Sequence, residues 1–144
     1  MSYTISQAFA GRGTILQIGS GSSSPYTFTT LAEMKKIQFS GSKYDLADVT
    51  NMQSGTFREW LPTLADSGEL SFEGNFIPGD ASQQNLIALF NTATLVPVQV
   101  ILPNALGTFA FNAYVQSIDR DLPIDKEATI SGKLKITGPI SFWI

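Results

Sequence analysis

The sequence predicts a mainly β chain, an antiparallel β-sandwich or barrel of about six to eight strands with one short flanking α-helix at about residues 80–92. Three observations carry that expectation. Apolar and polar residues alternate with period two over Ala128–Thr137 and Glu69–Phe76, the signature of half-buried strands. Only one segment has helical spacing of apolar residues. The strand-like segments do not alternate with helices, as a parallel sheet would require.

Taken in order, Thr14-Ile15-Leu16-Gln17-Ile18 is a short apolar run closed by a Gly-Ser-rich turn, Gly19 to Pro25, and reads as a first strand. Gly19 to Ser24 contains a Gly-x-Gly, but no Gly-Lys-Ser/Thr ending follows, so it is a turn and no phosphate loop. Tyr26–Thr30 is β-prone, and Glu33–Ser40 alternates imperfectly through Met34, Ile37 and Phe39. Gly41 to Pro62 follows neither period, and a loop of this length in a compact domain is usually functional or mobile.

In the strand at Glu69, Leu70 and Phe72 face one way, with Glu69, Ser71 and Glu73 on the other. Pro78-Gly79 ends it, and Asp80 precedes Gln83 by three residues, an N-cap with its capping-box partner. Leu86, Ile87, Leu89 and Phe90 then form one stripe on a helix of about three turns. Leu95–Leu102 is a valine-rich strand in which Pro97 marks an edge or a strand start. Thr108–Ile118 is a long strand with Phe109, Phe111, Ala113 and Val115 on one face and Ala110, Asn112, Tyr114, Gln116 and Ile118 on the other. Asp119 to Lys126 turns the chain into the last strand, where Ala128, Ile130, Leu134 and Ile136 share a face.

Composition narrows the function. The 144 residues suit a single β domain over 14–144 preceded by a polar arm, Met1 to Gly13. That arm has neither the basic nor the apolar region of a secretory signal, and no apolar run reaches the roughly 18 residues of a membrane span. With no cysteine and no histidine, the chain lacks thiol nucleophiles, Cys-ligated metal sites and the usual general base near neutral pH, so it reads as no enzyme and without a cofactor. A net charge of −3 is not the basic footprint of a phosphate-gripping protein. Only 15% of residues are charged, which leaves a surface suited to subunit contacts.

The chemistry-bearing clusters read blandly. Asp119, Asp121 and Asp125 lack the ligand pattern of a calcium loop and suit a solvated turn. Glu69 and Glu73 could pose as paired glycosidase carboxylates, but they share the polar face of one strand. Lys133 and Lys135 suit solubility or edge protection better than a phosphate site. Trp60 serves equally as a satellite-core residue or as an interface anchor.

Asp48-Val49-Thr50-Asn51-Met52 through Arg58-Glu59-Trp60-Leu61-Pro62, followed by Asp66-Ser67-Gly68-Glu69-Leu70-Ser71-Phe72-Glu73-Gly74-Asn75-Phe76, resembles the tail tube (major tail) proteins of long, non-contractile-tailed phages. The closing Leu122-Pro123-Ile124-Asp125 and Thr137-Gly138-Pro139-Ile140 resemble that family's end, so the likeness runs from roughly Glu33 to Ile140. The resemblance implies a β-sandwich or barrel assembled as stacked six-membered rings, the tail tube through which viral DNA passes without specific binding. Type VI secretion tube subunits are related in architecture. Its implied partners are further copies of the chain, the tail tape measure, and tail-tip and tail-terminator proteins; its place is the virion tail, after assembly in the host cytoplasm. An immunoglobulin-like domain carried by some members is not expected, because the chain ends at Ile144.

The family's long loop reaches the neighbouring ring. Mapped onto residues 42–64, it makes Asp48, Thr50, Asn51, Met52, Phe57, Arg58 and Trp60 the expected inter-subunit contacts, with ordering coupled to assembly. Glu69 and Glu73 become candidates for a polar or lumen-facing surface, where a carboxylate stripe would repel passing phosphates. The alternative is a monomeric β-sandwich binding module for carbohydrate or protein, using Trp60, Tyr44 and Tyr114.

Overall fold

The structure, a computed structural model, describes residues 8–20 and 27–144; most of the expected polar arm and of the Gly-Ser turn lies outside them. Among the described residues, nine strands and one α-helix follow in the order β1 (Ile15–Ser20), β2 (Thr27–Thr30), β3 (Met34–Ser40), β4 (Lys43–Asp48), β5 (Trp60–Asp66), β6 (Glu69–Asn75), α1 (Ala81–Thr92), β7 (Val96–Ile101), β8 (Thr108–Asp121) and β9 (Thr129–Trp143). A short 3-10 turn, Pro103–Ala105, links β7 to β8. Seven strands form one antiparallel sheet in the order β2-β1-β7-β8-β9-β6-β3, and β4 pairs only with β5.

The strict alternation of β7, with Val96, Val98 and Val100 buried, and of β6, with Leu70 and Phe72 buried, gives the sheet one apolar face. That face is covered because the sheet curls over on itself. Phe39 of β3 lies 5.2 Å from Phe109 and 5.7 Å from Phe111 of β8, although β9 and β6 separate these strands along the sheet. The core of Leu16, Ile18, Val98, Phe111, Leu134 and Leu70 fills the curl, and Leu86 of α1 packs into it. The edges β2 and β3 are not hydrogen-bonded to each other, so the arrangement is sandwich-like and no barrel closes.

The helix falls where its spacing places it, but its cap differs from the expected box. The Asp80 carboxylate accepts from Gln83 N–H at 3.3 Å and from the Ser82 hydroxyl. Gln83 does not reach back to Asp80. Its side chain is buried, accepts from Ile77 N–H at 2.9 Å and donates to the Asn75 carbonyl at 2.8 Å, tying the helix start to the end of β6. Within the stripe, Leu86 is buried and Leu89 packs against the core, whereas Phe90 stays exposed.

Other differences have equally local causes. Pro97 is the second residue of β7 and lies past the last residue paired with β1, Val98, so it marks a strand start inside the sheet. A bulge between Val115 and Ser117 inserts one residue and reverses the alternation of β8. Ile118 therefore packs on the core instead of joining Tyr114 on the outer face. β9 sits between β8 and β6, so Lys133 and Lys135 protect no edge and instead form ion pairs.

The largest correction concerns residues 42–64. The stretch without a period is a two-stranded ribbon, with Leu46 opposite Pro62, Ala47 opposite Leu61 and Asp48 opposite Trp60, and irregular chain is confined to residues 49–59. Period two reports a face that is buried, and neither face of this ribbon is buried within its subunit. A register shift between Tyr44 and Leu46 disturbs the pattern further. Pro62 is tolerated because both strands of a two-stranded ribbon are edges.

Candidate inter-subunit surface

The ribbon carries most of the expected contact residues. Its register puts Tyr44, Leu46, Trp60 and Pro62 on one face and Ala47 and Leu61 on the other. Leu46, Leu61 and Leu64 are exposed, and Trp60 retains 51% exposure, which places it outside the core of the lone subunit. Met52 and Phe57 stand at the tip with 103% and 80% exposure. Apolar side chains grouped this way make the ribbon a candidate interaction surface, whereas single exposed ones are ordinary.

The tip is organised by its own hydrogen bonds. Asp48 Oδ1 accepts from Thr50 N–H at 2.9 Å, Thr50 Oγ1 accepts from Glu59 N–H at 2.8 Å, and Val49 N–H donates to the Glu59 carbonyl at 3.0 Å. Asn51 Oδ1 accepts from Gln53 N–H at 2.8 Å. The Thr50 hydroxyl, and then its backbone N–H, hold the Asp48 carboxyl below its ordinary range. Arg58 lies 3.7 Å from Asp48, an exposed pair that adds little by itself. Asp48, Thr50 and Asn51 thus shape the turn, while Met52, Phe57 and Trp60 supply the apolar surface.

The root of the ribbon is tied to the sheet. Lys135 Nζ donates to Asp66 Oδ1 at 3.0 Å and Oδ2 at 3.2 Å, and Gly68 N–H donates to Asp66 Oδ1 at 2.8 Å. The Gly68 bond, then Lys135 and more weakly Lys43, hold the Asp66 carboxyl low.

Glu69 and Glu73 share the polar face of β6, as their alternation implies. Glu69 pairs with Lys133 at 3.5 Å, and Glu73 stands opposite Lys36 on β3 and Ser131 on β9. A shallow pocket of about 200 Å³ is lined there by Lys36, Gln38, Glu73, Asp119 and Lys133. The face is therefore charge-mixed, not a carboxylate stripe. Tyr44, Trp60 and Tyr114 form no ring pair with one another among the described residues. Sequence reasoning missed a second exposed apolar group, Phe142, Trp143 and Ile144, where Phe142 lies 4.8 Å from Phe109. The clue was present as three consecutive bulky apolar residues at positions 142–144.

A curled β-sheet that leaves the apolar side chains of a two-stranded ribbon exposed outside its own core has the character of a structural building block. The model of the lambda phage tail tube protein family matches residues 13–142, and the chain belongs to that family: it is a structural tail tube subunit. Its fold is shared with a chain of the native gene transfer agent virion (20% identity, TM-score 0.75, covering 95% of this chain and 100% of that one). It is likewise shared with the tail of the empty gene transfer agent particle, refined with C6 symmetry (21%, TM-score 0.74, 95% and 100%). The SPP1 tail tube is similar at 14% identity and TM-score 0.68, covering 91% of this chain and 77% of that chain. No curated protein matches the chain in sequence.

Proposed function

We propose that the chain works without catalysis, as copies arranged in six-membered rings that stack into the tail tube of a virion, with the β4–β5 ribbon reaching the neighbouring ring. The observation that carries this is the ribbon itself, whose apolar side chains on both faces remain exposed while its strands pack chiefly against each other. A further copy that covers such a surface gains by removing its apolar area from water. Met52, Phe57 and Trp60 act as the anchors, and Asp48, Thr50, Asn51 and Arg58 shape and rim the contact. The six-fold symmetry of the gene transfer agent tail, built from a chain of the same fold, supports the ring number.

Residues 14–144 act as one domain on this reading. The polar face bearing Glu69 and Glu73 is the one assigned to the lumen, through which DNA passes without specific binding. The tape measure, tail-tip and tail-terminator proteins are the further partners, met in the host cytoplasm before the tail is complete.

Electron microscopy of the purified protein, with and without replacement of residues 50–58 by a short Gly-Ser turn, tests the assignment. Rings or tubes from the parent and isolated folded subunits or unstacked rings from the variant are expected. Normal tubes from the variant, or glycan binding by a parent that stays monomeric at every concentration, would overturn it.

A further inference from the structure

We propose that Asp66 and Lys135 form a latch that fixes the direction in which the ribbon leaves the sheet, so that the subunit presents its tip to a neighbour in a set orientation. The inference rests on the ribbon being the inter-subunit element, and it names what governs that element before assembly.

The chain passes from sheet to ribbon at Gly41-Ser42 and returns at Ser67-Gly68. Both glycines have positive φ, 82° and 88°, and a Cβ on Gly68 would overlap the Ser40 carbonyl. The two crossings are therefore pressed together at residues whose backbone is the least restrained of any type. Left alone, such a junction would swing. Four hydrogen bonds to β9 prevent it: two from the Lys135 ammonium, one to each Asp66 oxygen, one from Ile136 N–H to the Gly68 carbonyl at 3.1 Å, and one from the Ser67 hydroxyl to the Gly138 carbonyl at 2.5 Å. β9 is bonded on both sides, by β8 and β6, and so makes a rigid reference.

Of these bonds, only the ion pair joins side chains of ribbon and sheet, and it grips the last residue of β5. Lys43, opposite Asp66 on β4, lies within the ribbon and cannot tether it. The lever is long. Seven residues of β5 span roughly 20 Å, so a tilt of about 10° at the root moves the tip roughly 3.5 Å, a full atomic contact. An exposed ion pair contributes little to folding, yet a restraint at the fulcrum decides where Phe57 and Met52 arrive.

The absence of cysteine permits a direct test in the full chain: Thr56→Cys at the tip and Asn91→Cys on α1 carry spin labels at two defined places only. One narrow distance distribution is expected in the dilute subunit, broadened by Lys135→Met and restored by Lys135→Arg, which keeps the charge and its two bonds. The tube-forming critical concentration of Lys135→Met should rise roughly three-fold, the scale of an exposed charge pair, with Tm unchanged and Lys135→Arg at the parent value. An unchanged distribution in Lys135→Met overturns the latch, and a broadened one with parental assembly overturns its role in presentation. Should Phe57→Ser and Met52→Ser leave assembly untouched, the ribbon's interface role fails while the distance measurement still judges the latch.

Discussion

Replacing Phe57 by serine separates folding from assembly. The ring is 80% exposed at the ribbon tip, so the isolated subunit loses almost no packing with it. Fully burying a phenylalanine is worth about 1.5–3 kcal/mol, and with four-fifths of the ring still available a neighbour can gain about 1.2–2.4 kcal/mol by covering it. At about 1.4 kcal/mol per tenfold, Phe57→Ser should raise the critical concentration for tube formation roughly 7- to 50-fold. Thermal unfolding of the dilute subunit should move by no more than about 2 °C, because an exposed substitution rarely exceeds about 0.5 kcal/mol. Pelleting across a concentration series measures the first quantity and circular dichroism the second. An unchanged critical concentration would refute the reasoning, since the ring would then be uncovered in the tube as well. A large fall in Tm would refute it differently, by showing that Phe57 already packs within its own subunit.

Leu134→Ala, at a fully buried position between Leu70 of β6 and Val115 of β8, should cost about 2–5 kcal/mol in denaturant unfolding. Gln83→Ala should cost about 1–3 kcal/mol for each backbone group it strands, Ile77 N–H and the Asn75 carbonyl, with amide exchange accelerated first at the β6–α1 junction. The Asp66, Asp48 and Glu127 carboxyls all titrate below their ordinary values when folded, Glu127 because the Lys35 ammonium donates to it at 2.8 Å. Their contribution is therefore complete above the unfolded carboxylate pKa near 4 and is lost as pH falls through the lower folded values. With no histidine, the subunit and its assembly should be nearly flat between about pH 6 and 8 and should loosen at the ribbon root only in acid; a midpoint near pH 6.5 would contradict this.

Several elements could be read before any coordinate was known. Leu70 and Phe72, Phe111 to Val115, and Ile130 to Ile136 alternate because each strand buries one face, and that burial imprints period two on the sequence. The helix over residues 81–92 was legible from Asp80 and the spacing of Leu86 and Leu89, since a cap and a stripe are both local. The absence of histidine and cysteine pointed away from catalysis. The ribbon left no such imprint. Its strands fully bury no residue inside the subunit, so no period was imposed on Lys43–Asp48 or Trp60–Asp66, although their aromatic and apolar content makes the segment a candidate contact surface.

Tertiary structure alone decided the remaining features, because each depends on residues far apart in the chain meeting in one register. The bulge opposite Leu134 turns Ile118 inward, the Gln83 side chain leaves the capping role for Asn75 at the end of β6 and Ile77 just beyond it, and the curl brings Phe39 against Phe109. Lys135 meets Asp66 across 69 positions only because β9 pairs with β6 immediately beside the root of the ribbon. Local pattern fixes which face of an element is buried, and long-range register fixes what that face, and the charges at its ends, will meet.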